Sequence, residues 1–273
     1  MPSTKVNGID IRYEVSGNGP TFVWLHGLIG SIERARNFGE GMDALAGRGI
    51  RLVAWEARGH GESGYTKNEA DYTWTAHAND LRALVDALGI ERACFGGSSM
   101  GAWVSTVFAV ENPERVDKLV LVAPPPLADT IQTAQQVFCG LASLIEAVGV
   151  EQAAEIVIKL PQYEEMQKKD PQQFELTHQW LRTVRAEPAP YAIRGLLNGP
   201  QLTRERFGEI SVPTLIVAHP DDPIHPASSA DALHDAITGS RLVMAPDMDH
   251  FRTHHDELID HVATFLSDDP RAK

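Results

Sequence analysis

The chain has 273 residues, 43% of them hydrophobic and 22% charged, and a formal net charge of −13. That length fits one α/β domain with a modest insertion and can bury a substantial apolar interior. The acidic balance argues against nucleic acid and anionic membrane surfaces as partners, because both repel a negative protein. The N-terminus, Met-Pro-Ser-Thr-Lys-Val, lacks the apolar core of a signal peptide, and no apolar run approaches the roughly 18 residues that span a bilayer. Cys94 and Cys139 sit in apolar surroundings and read as buried free thiols, so a reducing, cytoplasmic setting is expected.

Val6, Ile9, Ile11 and Tyr13 alternate around Asn7-Gly8, the pattern of a β-hairpin. Residues 21–25, Thr-Phe-Val-Trp-Leu, form a continuous apolar run of the kind found in strands buried on both faces. A helix is expected near 35–45, a strand at 51–55, and then a turn-rich segment, Arg58-Gly59-His60-Gly61-Glu62-Ser63. Residues 75–88 place Leu81, Leu84, Val85 and Leu88 on one helical face. The apolar run Ala93-Cys94-Phe95, a helix to about Glu111 and a strand at 118–122 follow. Later strands at 212–218 and 241–244 and a closing helix at 257–265 complete the pattern. Strands alternating with helices of this length imply a largely parallel sheet.

Residues 124–210 break the rhythm, being far longer than a crossover between parallel strands needs. Helical stretches at 131–148, 152–159 and 171–185, broken by Pro161, Pro188 and Pro190, read as an inserted lid over the C-terminal edge of the sheet. That edge is where open α/β sheets bind ligands. The expected division is a core of residues 1–123 and 211–273 and a helical cap of 124–210. Phe138, Leu141, Leu144, Met166, Phe174 and Trp180 are apolar residues available either to line a pocket or to pack the cap itself.

Gly97-Ser98-Ser99-Met100-Gly101 stands between a strand and a helix, the pattern of a serine held exposed on a sharp turn. The glycines permit a close approach of strand and helix that side chains would block. For Ser98 to be central, position 100 would have to be glycine, and it is Met, so Ser99 is the candidate nucleophile. A serine hydroxyl needs a neighbouring base and a third group to orient that base. Downstream, one strand runs into His219-Pro220-Asp221-Asp222-Pro223 and the next into Asp247-Met248-Asp249-His250, in the order expected for a triad on such a sheet. The two aspartates have a plain reading too, as caps of the turn and helix after them. His250 and His254 lie four apart, a spacing compatible with a metal, but no H-E-x-x-H or cysteine pair accompanies them. No metal and no cofactor are expected, and His26 and His60 read as loop-packing residues.

Taken together, His26-Gly27 after an early strand, Arg58-Gly59-His60-Gly61-Glu62-Ser63, the Ser99 turn, Asp221-Asp222-Pro223-Ile224-His225-Pro226 and Asp249-His250 resemble the α/β-hydrolase superfamily over essentially the whole chain. Glu56, Ala102 and Asp249 depart from it, standing where the family commonly has Asp, Gly and Gly; Asp249 bears on the pKa of the expected base. The resemblance implies an α/β-hydrolase fold and favours Asp222 over Asp221 as the acid and His250 over His254 and His255 as the base. It assigns the oxyanion donors to the backbone N–H groups of Leu28 and Met100. The implied activity is cofactor-free hydrolysis through an acyl-enzyme on Ser99 of a small-molecule apolar acyl substrate. Carboxylic esters come first, with lactones, thioesters, carbon–carbon bonds and a perhydrolase side activity as alternatives. A non-catalytic small-molecule receptor on the same scaffold is the reading from another class. An epoxide hydrolase or haloalkane dehalogenase would need Asp in place of Ser99.

Overall fold

The architecture is set by strands that are apolar on both faces. In the computed structural model, which describes residues 2–38, 41–128, 130–220, 222, 224–247 and 249–268, these strands pair into a single sheet. Among the described residues its elements are β1 (Ser3–Val6), β2 (Ile9–Ser16), β3 (Thr21–Leu25), β4 (Arg51–Trp55), β5 (Ala93–Ser98), β6 (Val116–Val122), β7 (Thr214–Ala218) and β8 (Arg241–Met244). Their spatial order is β1-β2-β4-β3-β5-β6-β7-β8. The β1–β2 and β2–β4 pairs are antiparallel and the rest parallel. Helices cover both faces: α1 (Ile32–Asn37), α2 (Trp74–Ala87) and α3 (Met100–Glu111) come before β6, and α4 to α12 after it.

Alternation along the strands divides the core in two. Val23, Leu25, Val53 and Trp55 join Leu81, Leu84, Trp103 and Phe108 on one face. Phe22, Trp24, Leu52 and Ala54 join Leu258, Ile259, Val262 and Phe265 of the closing helix on the other. A period of two with both faces buried explains why these strands read as unbroken apolar runs. The buried pair Arg58–Asp80, with contacts of 2.5 and 2.6 Å, ties the turn-rich segment after β4 to α2. The helix expected at 35–45 is instead two short pieces, α1 and a 3₁₀ turn at Asp43–Arg48. α1 closes at Phe38, whose N–H bonds the Arg34 carbonyl, and Gly41 precedes the second piece.

Between β6 and β7 lie α4 (Gln132–Val148), α5 (Val150–Val157), α6 (Pro161–Lys169), α7 (Pro171–Thr183), α8 (Ala189–Leu197) and α9 (Arg204–Phe207). Pro161 and Pro171 open helices, as does Pro190 in the first turn of α8, because a first-turn N–H has no helical partner to lose. Pro161 and Pro190, expected only as breaks, therefore lie in the first turns of helices, while Pro171 opens one as expected. These helices pack among themselves through Ile131, Ala142, Ile145, Val184 and Ile193. After β7 and β8 come α10 (Ala227–Ala236), α11 (His250–Thr253) and α12 (His255–Ser267). No helix among the described residues is long and apolar enough to cross a membrane.

Candidate active site

Ser99 stands between β5 and α3 with φ 51° and ψ −112°, a conformation costly for a residue with a β-carbon. A β-carbon on Gly97 would come within 2.4 Å of the Gly101 carbonyl carbon, and one on Gly101 within 2.1 Å of the Leu25 oxygen. Both glycines are therefore fixed by the approach of α3 to β3 and β5. The Ser99 N–H donates to the Val122 carbonyl at 2.9 Å, and its own carbonyl accepts the Trp103 N–H at 3.2 Å. Although Ser99 occupies the N-cap of α3, its hydroxyl does not cap the helix. It points to an imidazole.

That imidazole belongs to His225. Its Nε2 lies 2.8 Å from Ser99 Oγ, and its Nδ1 lies 2.7 Å from Asp222 Oδ2. Asp222 Oδ1 accepts the backbone N–H groups of Ile224 at 2.7 Å and His225 at 3.1 Å. One Asx-type turn after β7 thus does both jobs weighed for this aspartate: one oxygen caps the turn and the other holds the ring. Burial pushes the Asp222 carboxyl up, but the bond to His225, its charge and the two backbone N–H groups outweigh this and hold it at about 2. With Asp222 ionised, Nδ1–H donates to the carboxylate, and Nε2 presents its lone pair to the serine hydroxyl. Asp221 lies outside the described residues.

His250, the base expected from sequence, is not brought to Ser99. It opens α11, with its Nε2 2.9 Å from Glu257 Oε2 and its ring stacked 4.6 Å from that of His254. Asp249 turns to Arg252, 3.3 Å away, rather than to the ring. His255 bonds the Gly41 carbonyl at 2.8 Å. The difference from expectation is one of position: the turn after β7 supplies the ring expected from the loop after β8. The signal for His225 was in the sequence as Asp-x-x-His directly after a strand, a spacing at which one turn brings the two side chains together. His26, His60 and His77 form a separate buried row, with ring centroids 5.2 and 6.5 Å apart. Burial lowers His26 and His77 to about 4 and His60 well below its usual value, so all three are neutral.

Leu28 and Met100 both border the Ser99 cavity, about 30 Å³ in volume, with Ile131, Phe138, Leu197 and His225 among its other walls. Met100 is the first residue of α3, so its N–H has no acceptor within the helix. A β-carbon on Gly27, just before Leu28, would lie 3.6 Å from that of Ser99. Of the apolar candidates from the insertion, Phe138 lines this cavity. Leu141 and Leu144 pack in the α4–α8 cluster, and Phe174 packs beside Leu181. The Met166 sulfur lies 3.7 Å from the Thr177 hydroxyl. Trp180 borders a larger cavity, about 410 Å³, with Ile29, Arg34, Phe38, His60 and Arg185, and Ser99 does not reach it. Among the described residues, no group of three or more His, Cys, Asp or Glu is placed to hold a metal ion.

Residues 20–256 match the model of the family described as serine aminopeptidase, S33, and the chain belongs to that family. It is 36% identical over 118 residues to an uncharacterized protein of Mycobacterium tuberculosis, a match covering 43% of this chain and 33% of that protein. It is 37% identical over 116 residues to a 2-hydroxy-6-oxononadienedioate/2-hydroxy-6-oxononatrienedioate hydrolase of Paraburkholderia phymatum, covering 41% of this chain and 39% of the relative. These matches thus span well under half the length of the curated relatives. Over nearly the whole chain, the structure resembles the enol-lactonase from Burkholderia xenovorans LB400, with a TM-score of 0.79, 22% identity, and 98% and 100% of the two chains covered. The fold is that of the α/β hydrolases.

Proposed function

We propose that this S33-family chain is a serine hydrolase that cleaves a carboxylic ester, or a closely related acyl bond, through an acyl-enzyme on Ser99. The observation that carries this reading is the unbroken chain from Ser99 Oγ to His225 Nε2 and from His225 Nδ1 to Asp222, at 2.8 and 2.7 Å. In this reading Oγ attacks the substrate carbonyl as its proton passes to Nε2. Asp222 keeps its negative charge and stabilises the imidazolium. The Leu28 and Met100 N–H groups receive the developing oxyanion, the step where fixed donors contribute most. His225 then protonates the leaving alcohol, and the C–O bond breaks. Water, deprotonated by the same nitrogen, attacks the acyl carbon and releases the acid and the free serine. Side chains and backbone handle every proton, so the scheme invokes no cofactor.

The insertion at 124–210 acts as a cap in this reading, since Ile131, Ala134, Phe138 and Leu197 wall the Ser99 cavity. A cavity of about 30 Å³ is far below the usual range for drug-sized ligands and suits a short acyl group. The names of the similar proteins make enol-lactones and 2-hydroxy-6-oxo dienedioates the nearest alternatives.

A second reading gives the base role to His250. It is favoured by the register of the sheet, which pairs Ala218 with Met244 and so brings the ends of β7 and β8 side by side. The ring is held away by a contact with Glu257, 54% accessible, and by stacking on His254. The first test is Ser99→Ala, assayed with p-nitrophenyl esters from acetyl to octanoyl, a lactone panel and a fluorophosphonate label. Loss of turnover and labelling with the fold intact, and a preference for two- to four-carbon acyl groups in the unmutated chain, are expected. Wild-type turnover in the alanine variant would remove Ser99 from the mechanism.

A further inference from the structure

The Gly27 carbonyl and the Leu28 N–H belong to one planar trans peptide, so whatever fixes that carbonyl also aims the N–H, which points the opposite way. Two donors fix it. The Gly30 N–H bonds the Gly27 oxygen at 3.1 Å, closing a four-residue turn, and His26 Nδ1 lies 2.7 Å from the same oxygen. The turn is not favoured by its own residues, because Ile29 at its third position has φ 51°, where Gly or Asn is usual. A β-carbon on Gly30 would come within 2.7 Å of the Gly27 oxygen and 3.2 Å of His26 Nδ1, so glycine there leaves room for both donors.

The tautomer of His26 is set from its other side. The Ala57 nitrogen lies 3.3 Å from His26 Nε2, and a backbone N–H can only donate, so Nε2 accepts. Burial keeps the ring neutral, and its one proton therefore sits on Nδ1 and is donated to the Gly27 carbonyl. The ring is 2% exposed and spans two neighbouring strand ends: His26 directly follows β3, and Ala57 lies two residues beyond β4. The shorter of the two bonds to Gly27 is thus made by a ring whose orientation the core of the sheet fixes.

We infer that His26 is a positioning residue for the oxyanion site: its Nδ1–H holds the Gly27 carbonyl and thereby orients the Leu28 N–H on the same peptide. This rests on the serine-hydrolase reading above, and it gives a task to a ring that the sequence marks only as loop packing. Without that bond, among the described residues only the Gly30 N–H, the more distant donor, still holds the carbonyl. The 27–28 peptide is then freer to tilt about its flanking bonds. A tilted N–H is poorly aimed at charge that develops in the transition state, while the apolar walls of the cavity still hold the substrate. The loss therefore falls on kcat rather than on KM.

The test compares two amide replacements in p-nitrophenyl acetate hydrolysis. His26→Asn puts an amide N–H where Nδ1 stands, whereas His26→Gln puts its amide at the position of Nε2, so only the first can still donate to Gly27. His26→Gln is expected to lower kcat about tenfold with KM within about twofold, less than outright removal of an oxyanion donor costs. His26→Asn should keep kcat within about threefold of the unmutated chain. Asparagine leaves more of the ring's volume empty, so a role in packing alone would rank the two variants the other way. Equal kcat losses, the reverse order, no loss in either or a loss confined to KM overturns the inference. Should His26→Asn fold poorly, nitrogen NMR of the unmutated chain takes its place, with the His26 signals assigned by their absence from His26→Gln. An Nδ1–H tautomer together with the kcat loss in His26→Gln upholds the inference, and an Nε2–H tautomer overturns it. Ser99→Ala and fluorophosphonate labelling run alongside. If they behave as the serine reading requires while the two variants lose kcat equally, the inference alone falls; turnover surviving in Ser99→Ala takes both down.

Discussion

Two neighbouring strand ends each present a histidine and a carboxylate, and they do different things with them. After β7, Asp222 and His225 are three residues apart, 12% and 19% exposed, and joined to Ser99. After β8, His250 reaches seven residues along to Glu257, which is 54% exposed, and the pair joins nothing catalytic in this arrangement. The first pair is built by one turn whose backbone N–H groups also fix the carboxylate, so the ring has little orientational freedom to lose. The second is a surface contact between two helices, of a kind that contributes little. A histidine–carboxylate contact therefore says little by itself; what distinguishes the two is the turn that fixes one of them.

Replacing each ring in turn gives the largest expected effect. His225→Ala should lower kcat by about 10⁶-fold, as loss of a triad base does, whereas His250→Ala should leave it within a few fold. Stopped-flow and steady-state assays of both variants decide this. The reverse result would mean that His250 leaves Glu257 during turnover and that the His225 contact is a resting arrangement.

The buried histidine row sharpens the contrast between interior and surface rings. His26, His60 and His77 fold neutral, and the unfolded chain protonates them near pH 6.5, whereas in the folded chain burial lowers His26 and His77 to about 4 and His60 well below its usual value. Stability should be full above pH 6.5 and drain as pH falls towards 4. At its steepest, uptake of about three protons on unfolding corresponds to roughly 4 kcal/mol per pH unit. Urea titrations across that range measure the slope; a flat profile would show that the rings titrate freely in the folded chain.

The smallest effect is expected from Glu257→Gln. Tm should move by less than about 2 °C and kcat should be unchanged, as for other exposed ion pairs. A clear rise or fall in kcat would instead show that Glu257 governs the availability of His250, favouring the loop after β8 as the source of the base.

Much of this was readable from the chain. Residues 21–25, 51–55 and 241–244 were bounded correctly because apolar runs ending in turn residues are a local signal. The Gly97 and Gly101 argument held because it depends on steric contact a few residues either side of Ser99. The helix at 35–45 failed where periodicity ran across a break near Gly41, and α6 and α8 were missed because their opening prolines look, in sequence, like endings. Ile29 gave no sign of its conformation, since an isoleucine in an apolar stretch predicts extended backbone and not positive φ.

By itself the sequence determined the strands of the sheet and the serine on its strained turn, because each rests on residues near one another along the chain. Only the folded molecule decided which imidazole meets Ser99 and that Trp180 bonds the Ile29 carbonyl. Those contacts join residues 126 and 151 positions apart. Separations of that size are set by how strands and helices pack, and not by any pattern local to either end.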